Sequence, residues 1–492
     1  MRPIKVLILT TCMLAAGLAC AGDIPSRPEQ LVFPTLTFAV PSAEPLRVTL
    51  ANNIPAYVAE DRMLPLVAIQ VLFRGGQYLE PAGKEGVAEL TGAAWRTGGA
   101  GTLDARALDE ELDFLAAQLS TSVHETTGAV TLNILAKDLD RGLALLLDVL
   151  RSPRFEDARL AKAKEGLLAD MQRRNDDTAD IEAREWDRLI YGDGYWLNRL
   201  PTKTSVDGIT RADVAAFHAR LANPANFVVA VAGDFERKSM IAKLNATLGA
   251  WRATGLPAPA VPQPNAAAKP GVYLVNKADV NQGRVSVGHL GSKRPVADEF
   301  ALRVANDILG GNGFAAWLMQ RVRTEEGLAY GAYSGSGIGD LYPGSFRAEF
   351  QSKSSTCARA TQVALALIRD LRAGKASDKD LVTSKNSFIE TLPRTFESKF
   401  KTVTRFAGDE LNGRPRDYWK RYRAGIAAVT LKAVADAATA HLHPDELVIL
   451  VVGKIDDILK GHPDHPEAKL ENLGPLVRLP MRDPMTLQPI TK

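Results

Sequence analysis

The 492-residue sequence has only three cysteines, and two of them, Cys12 and Cys20, lie in its first 20 residues. Cys357 then stands alone, so no internal disulfide can form and the fold must hold by its hydrophobic cores. Charge of one sign is also missing: 60 Lys+Arg stand against 57 Asp+Glu, for a net charge of +3. That balance removes the electrostatic case for a nucleic-acid partner, which needs a basic surplus gathered on one face. After Val6–Leu18 no apolar run approaches the length of a transmembrane helix. What remains, 46% apolar and 24% charged residues, is ordinary globular composition and excludes collagen-like or disordered chains. The length allows several cores, so two to four domains are expected.

The first residues read as a leader. Arg2 and Lys5 precede the apolar run, and the small residues Ala19-Cys20-Ala21 close it, which is the pattern of a secretory signal peptide over residues 1–21. An exported protein is therefore expected, in the bacterial periplasm. The alternative reading of Cys20 is a lipid-modified cysteine that anchors the chain to a membrane.

Residues 252–270 (RATGLPAPAVPQPNAAAKP) hold five prolines and no periodicity, as a stiff extended linker does. On either side the chain repeats itself. LANPANFVVAVAGD ends at Asp234 and HLHPDELVILVVGK at Lys454, with Val214/Val434, Pro224/Pro444 and Gly233/Gly453 coinciding at an offset of 220 residues. Helix, Pro turn and apolar strand recur in that order, so the chain is read as a duplication. Alternating stretches such as Leu66–Phe73 and Val285–Leu290 predict strands, and Asp104–Leu119, Leu139–Leu150 and Phe155–Arg174 predict helices. The fold class is α+β: two homologous α/β-sandwich halves at 22–251 and 271–455, joined by the linker. A proline-rich tail, 456–492, is expected to run over the surface. The linker would suit a semi-rigid hinge.

The segment from Ala68 to Gly99, AIQVLFRGGQYLEPAGKEGVAELTGAAWRTGG, places a strand, a Gly-Gly turn, an acidic loop and a helix in sequence. With YGDGYW at Tyr191–Trp196, KADVNQGRVSVGH at Lys277–His289 and ILGGNGFAAWLMQRVRTEEGLAYG at Ile308–Gly331, it resembles the insulinase/pitrilysin family of zinc metallopeptidases. The resemblance spans most of the chain. In that family two histidines of H-x-x-E-H ligate zinc from one helix face, and the glutamate between them activates water. Here the histidine positions are Glu89 and Ala93, and the base position is Gly92. The distal acidic ligand falls on Asp170, 77 residues after Ala93. Glu89 and Asp170 could face each other, but two carboxylates without imidazole make at best a weak site for a hard cation. No metal or other cofactor is expected on this chain.

The second half keeps what the first has lost. The family's R-x-x-x-G-L-x-Y is present as Arg323, Gly327, Leu328 and Tyr330. The resemblance implies that Arg323 and Tyr330 bind substrate near a zinc and steady charge on the scissile carbonyl, for which a guanidinium and a phenol are suitable donors. Other candidates are weaker. Gly310-Gly311-Asn312-Gly313 lacks the Lys-Ser/Thr of a phosphate loop and reads as a tight turn. His441, His443, His462 and His465 read as surface or capping residues. His124-Glu125 sits in a strand that could form a wall for extended peptide. Cys357 has no evident partner.

The resemblance therefore implies a non-catalytic partner subunit of an exported zinc peptidase. The zinc would sit on a second subunit of the same family, and the substrates would be unfolded or short peptides. The other reading is a peptidase-like scaffold or peptide-binding protein without a catalytic role.

Overall fold

Alternation in LVAIQVLF becomes a strand. Val67, Ile69, Val71 and Phe73 are fully buried, while Ala68, Gln70 and Leu72 take the opposite face. The computed structural model describes residues 26–27, 30–31, 37–253, 256–265 and 269–490. The described residues from Val40 onward form one compact unit, which holds both sheets. The leader at 1–21, with Cys20, lies outside the described residues.

Two six-stranded sheets organise the chain. The first contains β1 (Arg47–Thr49), β2 (Pro55–Glu60), β3 (Leu66–Arg74), β4 (Gln118–Val123), β5 (Thr127–Leu135) and β6 (Phe227–Gly233), in the order β1-β2-β6-β3-β5-β4. The second contains β7 (Gly271–Asn276), β8 (Gln282–Leu290), β9 (Ala329–Ser336), β10 (Ser345–Lys353), β11 (Val448–Gly453) and β12 (Leu476–Leu479), in the order β12-β7-β11-β8-β10-β9. Five strands match one for one. In each sheet the first strand of the half runs parallel to the last, and every other pairing among these five is antiparallel. The fold is thus mixed α+β with two halves of one design.

The sixth strand breaks the symmetry. β1 is antiparallel to β2, whereas β12 comes from the C-terminal tail and lies parallel to β7. The tail is more than a surface run: beyond β12, the Arg482, Pro484 and Met485 carbonyls accept hydrogen bonds from Asn175, Arg174 and the Lys203 amide of the first half. The predicted helix 104–119 also ends early. It stops at Phe114, Ala116 turns with φ 48°, and Gln118 already belongs to β4.

Each half lends a helix to the other. Helix Thr178–Tyr191 of the first half packs on β8 and β11, and helix Lys399–Leu411 of the second packs on β2, β3 and β6. The central strands β6 and β11 are buried at every residue. Strands covered on both faces read as unbroken apolar runs, which is why FVVAVAG and VILVVG do not alternate. Polar contacts fix the exchanged helices. Glu182, wholly buried, accepts from Arg284 Nε, from Ser286 Oγ at 2.5 Å and from Arg347 Nη2 at 2.9 Å. On the other side, Glu410 takes Arg47 in a two-pronged pair, both contacts at 2.8 Å, and also accepts from Tyr57 Oη.

The Pro-rich segment lies against the first half. Tyr78 and Tyr195 hydroxyls donate to the Pro259 and Pro262 carbonyls at 2.9 and 2.8 Å. With helices exchanged and the linker held this way, the two halves are not free to swing about 252–270.

Removing the Glu182 carboxylate leaves two guanidiniums facing a buried gap. We expect Glu182→Ala to cost about 2–4 kcal/mol in chemical denaturation, somewhat below a fully buried pair because water reaches the arginines. Lys432→Ala, which deletes an exposed ion pair with Asp436, should shift stability by less than about 0.5 kcal/mol in the same measurement.

Candidate functional site

The helix expected to carry metal ligands is α1, Val87–Thr97, entered through Gly86 at φ 100°. Its N-terminus is satisfied by Glu80, whose Oε1 accepts from the Gly86 and Ala88 amides at 3.0 and 2.8 Å. Glu80 is buried, and burial pushes its carboxyl up to about 7 in spite of those bonds. Sequence reasoning missed this residue. The signal was an acid six residues before a glycine-initiated helix.

Glu89 and Ala93 lie one turn apart on the exposed side of α1, and Gly92 is buried. Asp170, near the end of helix Asp157–Gln172, is exposed and pairs with Arg173. Desolvation and the charge of Asp170 both raise the Glu89 carboxyl, against Arg174. Glu89 borders a cleft of about 540 Å³, lined also by Glu80, His124, Glu125, Arg174 and Pro201, among others, but not by Asp170. Arg174 is committed elsewhere, donating to the Pro201 and Pro484 carbonyls at 2.8 and 3.1 Å. Among the described residues no group of three or more His, Cys, Asp or Glu is placed to hold a metal ion. Behind the helix, His218 is wedged edge-on against Trp95, its Nε2–H donating to the Leu150 carbonyl at 3.0 Å, and burial pushes it down to about 4. It is a core residue.

At the base position the helix has closed onto the sheet. A Cβ at Gly92 would stand 3.0 Å from the Val123 amide nitrogen and 3.4 Å from its Cβ. Thr121 Oγ1 donates to the Gly92 carbonyl at 2.8 Å. Edge strand β4 is therefore held by α1 over Thr121–Val123. The neighbouring turn serves the joint between halves, with Tyr342 Oη donating to Glu125 Oε2 at 2.8 Å.

Arg323 and Tyr330 are brought together, away from that cleft, whose lining includes neither. The Arg323 guanidinium carbon lies 4.8 Å from the Tyr330 ring centre and 4.7 Å from that of Phe314. It is sandwiched by two rings, with Tyr330 85% and Phe314 66% exposed. A π-helical turn, Met319–Glu325, carries the arginine, and a register irregularity between Ala329 and Ala332 re-aims the start of β9. Neighbouring charges pair among themselves, Arg321 with Glu325 and Arg359 with Glu326. Among the described residues no carboxylate pairs with Arg323, so its N–H groups stay available to an anionic oxygen. Phe314 escaped the sequence reading because it follows the Gly-rich stretch, which looked like a turn only. Gly310 is needed there: a Cβ would meet the Ser334 amide nitrogen of β9 at 2.5 Å.

The remaining candidates are structural. Cys357 is buried and its thiol pushed up to about 12, which leaves it unreactive. His441 is not a surface residue in effect, since Nε2 pairs with Asp298 at 2.8 Å. His289 Nε2 accepts from the His443 amide at 3.1 Å.

Residues 208–388 match the family model described as the peptidase M16 inactive domain. A solved structure titled a peptidase M16 inactive domain, from Pseudomonas fluorescens, superposes with a TM-score of 0.75 at 24% identity, covering 83% of this chain and 97% of that one. The non-peptidase homolog YmxG of Helicobacter pylori is 23% identical over 413 residues, 81% of this chain and 92% of its own length. Over residues 208–388 the chain is an M16-like inactive peptidase homologue. An uncharacterized zinc protease of Mycobacterium bovis is 30% identical over 207 residues, covering 41% of this M16 homologue and 46% of the protease.

Two outcomes are expected at α1. Gly92→Glu should lower the unfolding midpoint by the equivalent of about 1–3 kcal/mol, because it forces a side chain into the Val123 contact. Ala93→His, on the exposed side, should leave the midpoint unchanged. The Glu80 carboxyl titrates near 7 in the folded chain and at an ordinary 4.5 in the unfolded one. Its contribution to stability is therefore complete below pH 4.5 and lost as pH rises through 7, by about 3 kcal/mol. Glu80→Gln should flatten that part of the stability–pH curve between pH 5 and 8.

Proposed function

We propose that this inactive M16 homologue is the non-catalytic partner subunit of an exported zinc metallopeptidase. In this reading it binds unfolded or short peptide and presents Arg323 and Tyr330 in trans to a zinc-bearing subunit of the same family. The carrying observation is the unpaired Arg323, held between Phe314 and an exposed Tyr330. Packing gives no reason to keep a guanidinium there, whereas an anionic oxygen on a peptide does. Its separation from the emptied cleft supports action on another chain's site. Arg323 would donate to the developing oxyanion, and the Tyr330 phenol would supply a second donor.

A scaffold reading is favoured by one observation, the closure of α1 on β4 at Gly92 and Val123. An edge held by the chain's own helix offers less backbone to an added peptide strand.

The experiment is hydrolysis of an unstructured fluorogenic peptide by this chain, by a zinc-bearing family member from the same organism, by the mixture, and by the mixture with Arg323→Ala/Tyr330→Phe. We expect activity from the intact mixture only, and a loss of about 10²-fold or more in the double variant. A mixture that gains nothing, or a variant equal to wild type, would leave the scaffold reading in its place.

A further inference from the structure

A second cleft, of about 550 Å³, opens between the Gly-rich segment and helix Asp378–Thr391. At its wall stands Asp307, the first residue of a π-helical turn, Asp307–Gly311. Asp307 is 6% exposed, and its Oδ2 has no hydrogen-bond partner in the structure. Ser384, from the facing helix, is 1% exposed and stands beside that carboxyl. Among the described residues no Lys, Arg or His forms an ion pair with Asp307; Arg303, one turn earlier, is taken by Glu299 at 2.9 Å. Ser384 and Asn312 act on the carboxyl as hydrogen-bonding neighbours, but no cation meets it, and a buried carboxylate without one is costly unless something outside the chain supplies it.

We propose that this cleft receives the cationic side chain, lysine or arginine, of a bound peptide. A carboxylate without a cation accepts from an ammonium or guanidinium, and the Ser384 hydroxyl beside it keeps lone pairs for a second donor. Phe314 and Trp317, which also line the cleft, offer aromatic surface to the methylene stem and the charge. The other charges at the cleft do not compete: Lys379 is exposed, and the half-buried Asp380 caps its own helix by accepting from the Ser377 amide and hydroxyl. Burial pushes the Asp307 carboxyl up to about 6, with Ser384 and Asn312 opposing, so it is ionised above neutral pH and ready for a cation. Phe314 belongs to both places, since its other contact is the Arg323 guanidinium. A peptide engaged by Arg323 and Tyr330 would thus lie beside the cleft, and a basic side chain would pass across Phe314 into it. The site deepens the peptide-binding reading and rests on it.

The test uses the full chain at pH 8. Calorimetry compares two short unstructured peptides that differ only by lysine or norleucine at one position. In parallel, ligand-observed NMR compares N-acetyl-lysine methylamide with its norleucine counterpart. Wild type should prefer lysine by about tenfold or more. Asp307→Asn, nearly isosteric, should reduce that preference to twofold or less, and Ser384→Ala should reduce it in part, which keeps a readout if the first variant folds poorly. Arg323→Ala should weaken both peptides equally and leave the ratio intact. If neither peptide binds but the lysine amide does so in an Asp307-dependent way, the cleft stands and the peptide-subunit reading falls. If wild type shows no preference in either format, or Asp307→Asn keeps it, the cleft holds water only and the proposal is overturned.

Discussion

A single buried carboxylate, Glu182, ties the two halves into one body. It has no solvent exposure, and its oxygens meet Arg284, Arg347 and Ser286, all from the second sheet, while its backbone belongs to the first half. A charge in that position is tolerable only when it is paired and hydrogen-bonded, so the helix that carries it has one allowed seat. The rest depends on that seat. Helix Thr178–Tyr191 covers β8 and β11, Trp186 Nε1 donates to Ser345 Oγ at 3.1 Å, and Tyr191 Oη donates to the Pro343 carbonyl at 3.0 Å. The equivalent helix, Lys399–Leu411, closes the first sheet through Glu410.

The duplication explains the topology and the exchange, but the two copies solved their inner faces differently. Arg284, Ser286 and Arg347 make the second sheet polar beneath the borrowed helix. In the first sheet, Ala68, Gln70 and Ala129 take the matching positions, and the polar bond there joins Gln70 to Thr131 at 3.1 Å. Halves that differ in this way cannot trade helices at random, which gives the chain a unique pairing in addition to its stability. The C-terminal strap adds to the same end: β12 completes the second sheet, and the carbonyls beyond it are held by Arg174 and Asn175 of the first half.

Local pattern made much of this legible. The offset repeat revealed two copies, alternation revealed β3 and β8, and the unbroken apolar runs marked β6 and β11 as strands. Three things were out of reach. The exchange of helices is a tertiary choice, since an amphipathic helix does not say whose sheet it will cover. β12 sits in proline-rich sequence whose short LVRL stretch carries no period. The Asp104–Leu119 pattern hid a break because Leu115 and Leu119, four apart, are both buried, one in a turn and one in β4. At the site, Glu89, Asp170, Arg323 and Tyr330 were singled out through the family resemblance, whose motif positions local sequence carries. Phe314, Glu80 and Asp307 were not, because their roles come from burial and from partners distant in sequence.

The two groups of site residues differ in what it costs the fold to change them. Glu89 and Ala93 sit on the open side of α1, where a side chain can be replaced with little consequence for packing. Gly92 differs, because a Cβ there would stand 3.0 Å from the Val123 amide nitrogen and 3.4 Å from its Cβ, so any side chain at this position requires β4 to give way by a few tenths of an ångström. Arg323 presents the opposite case. An unpaired cation beside two largely exposed rings adds little to stability, and its loss would leave the core untouched.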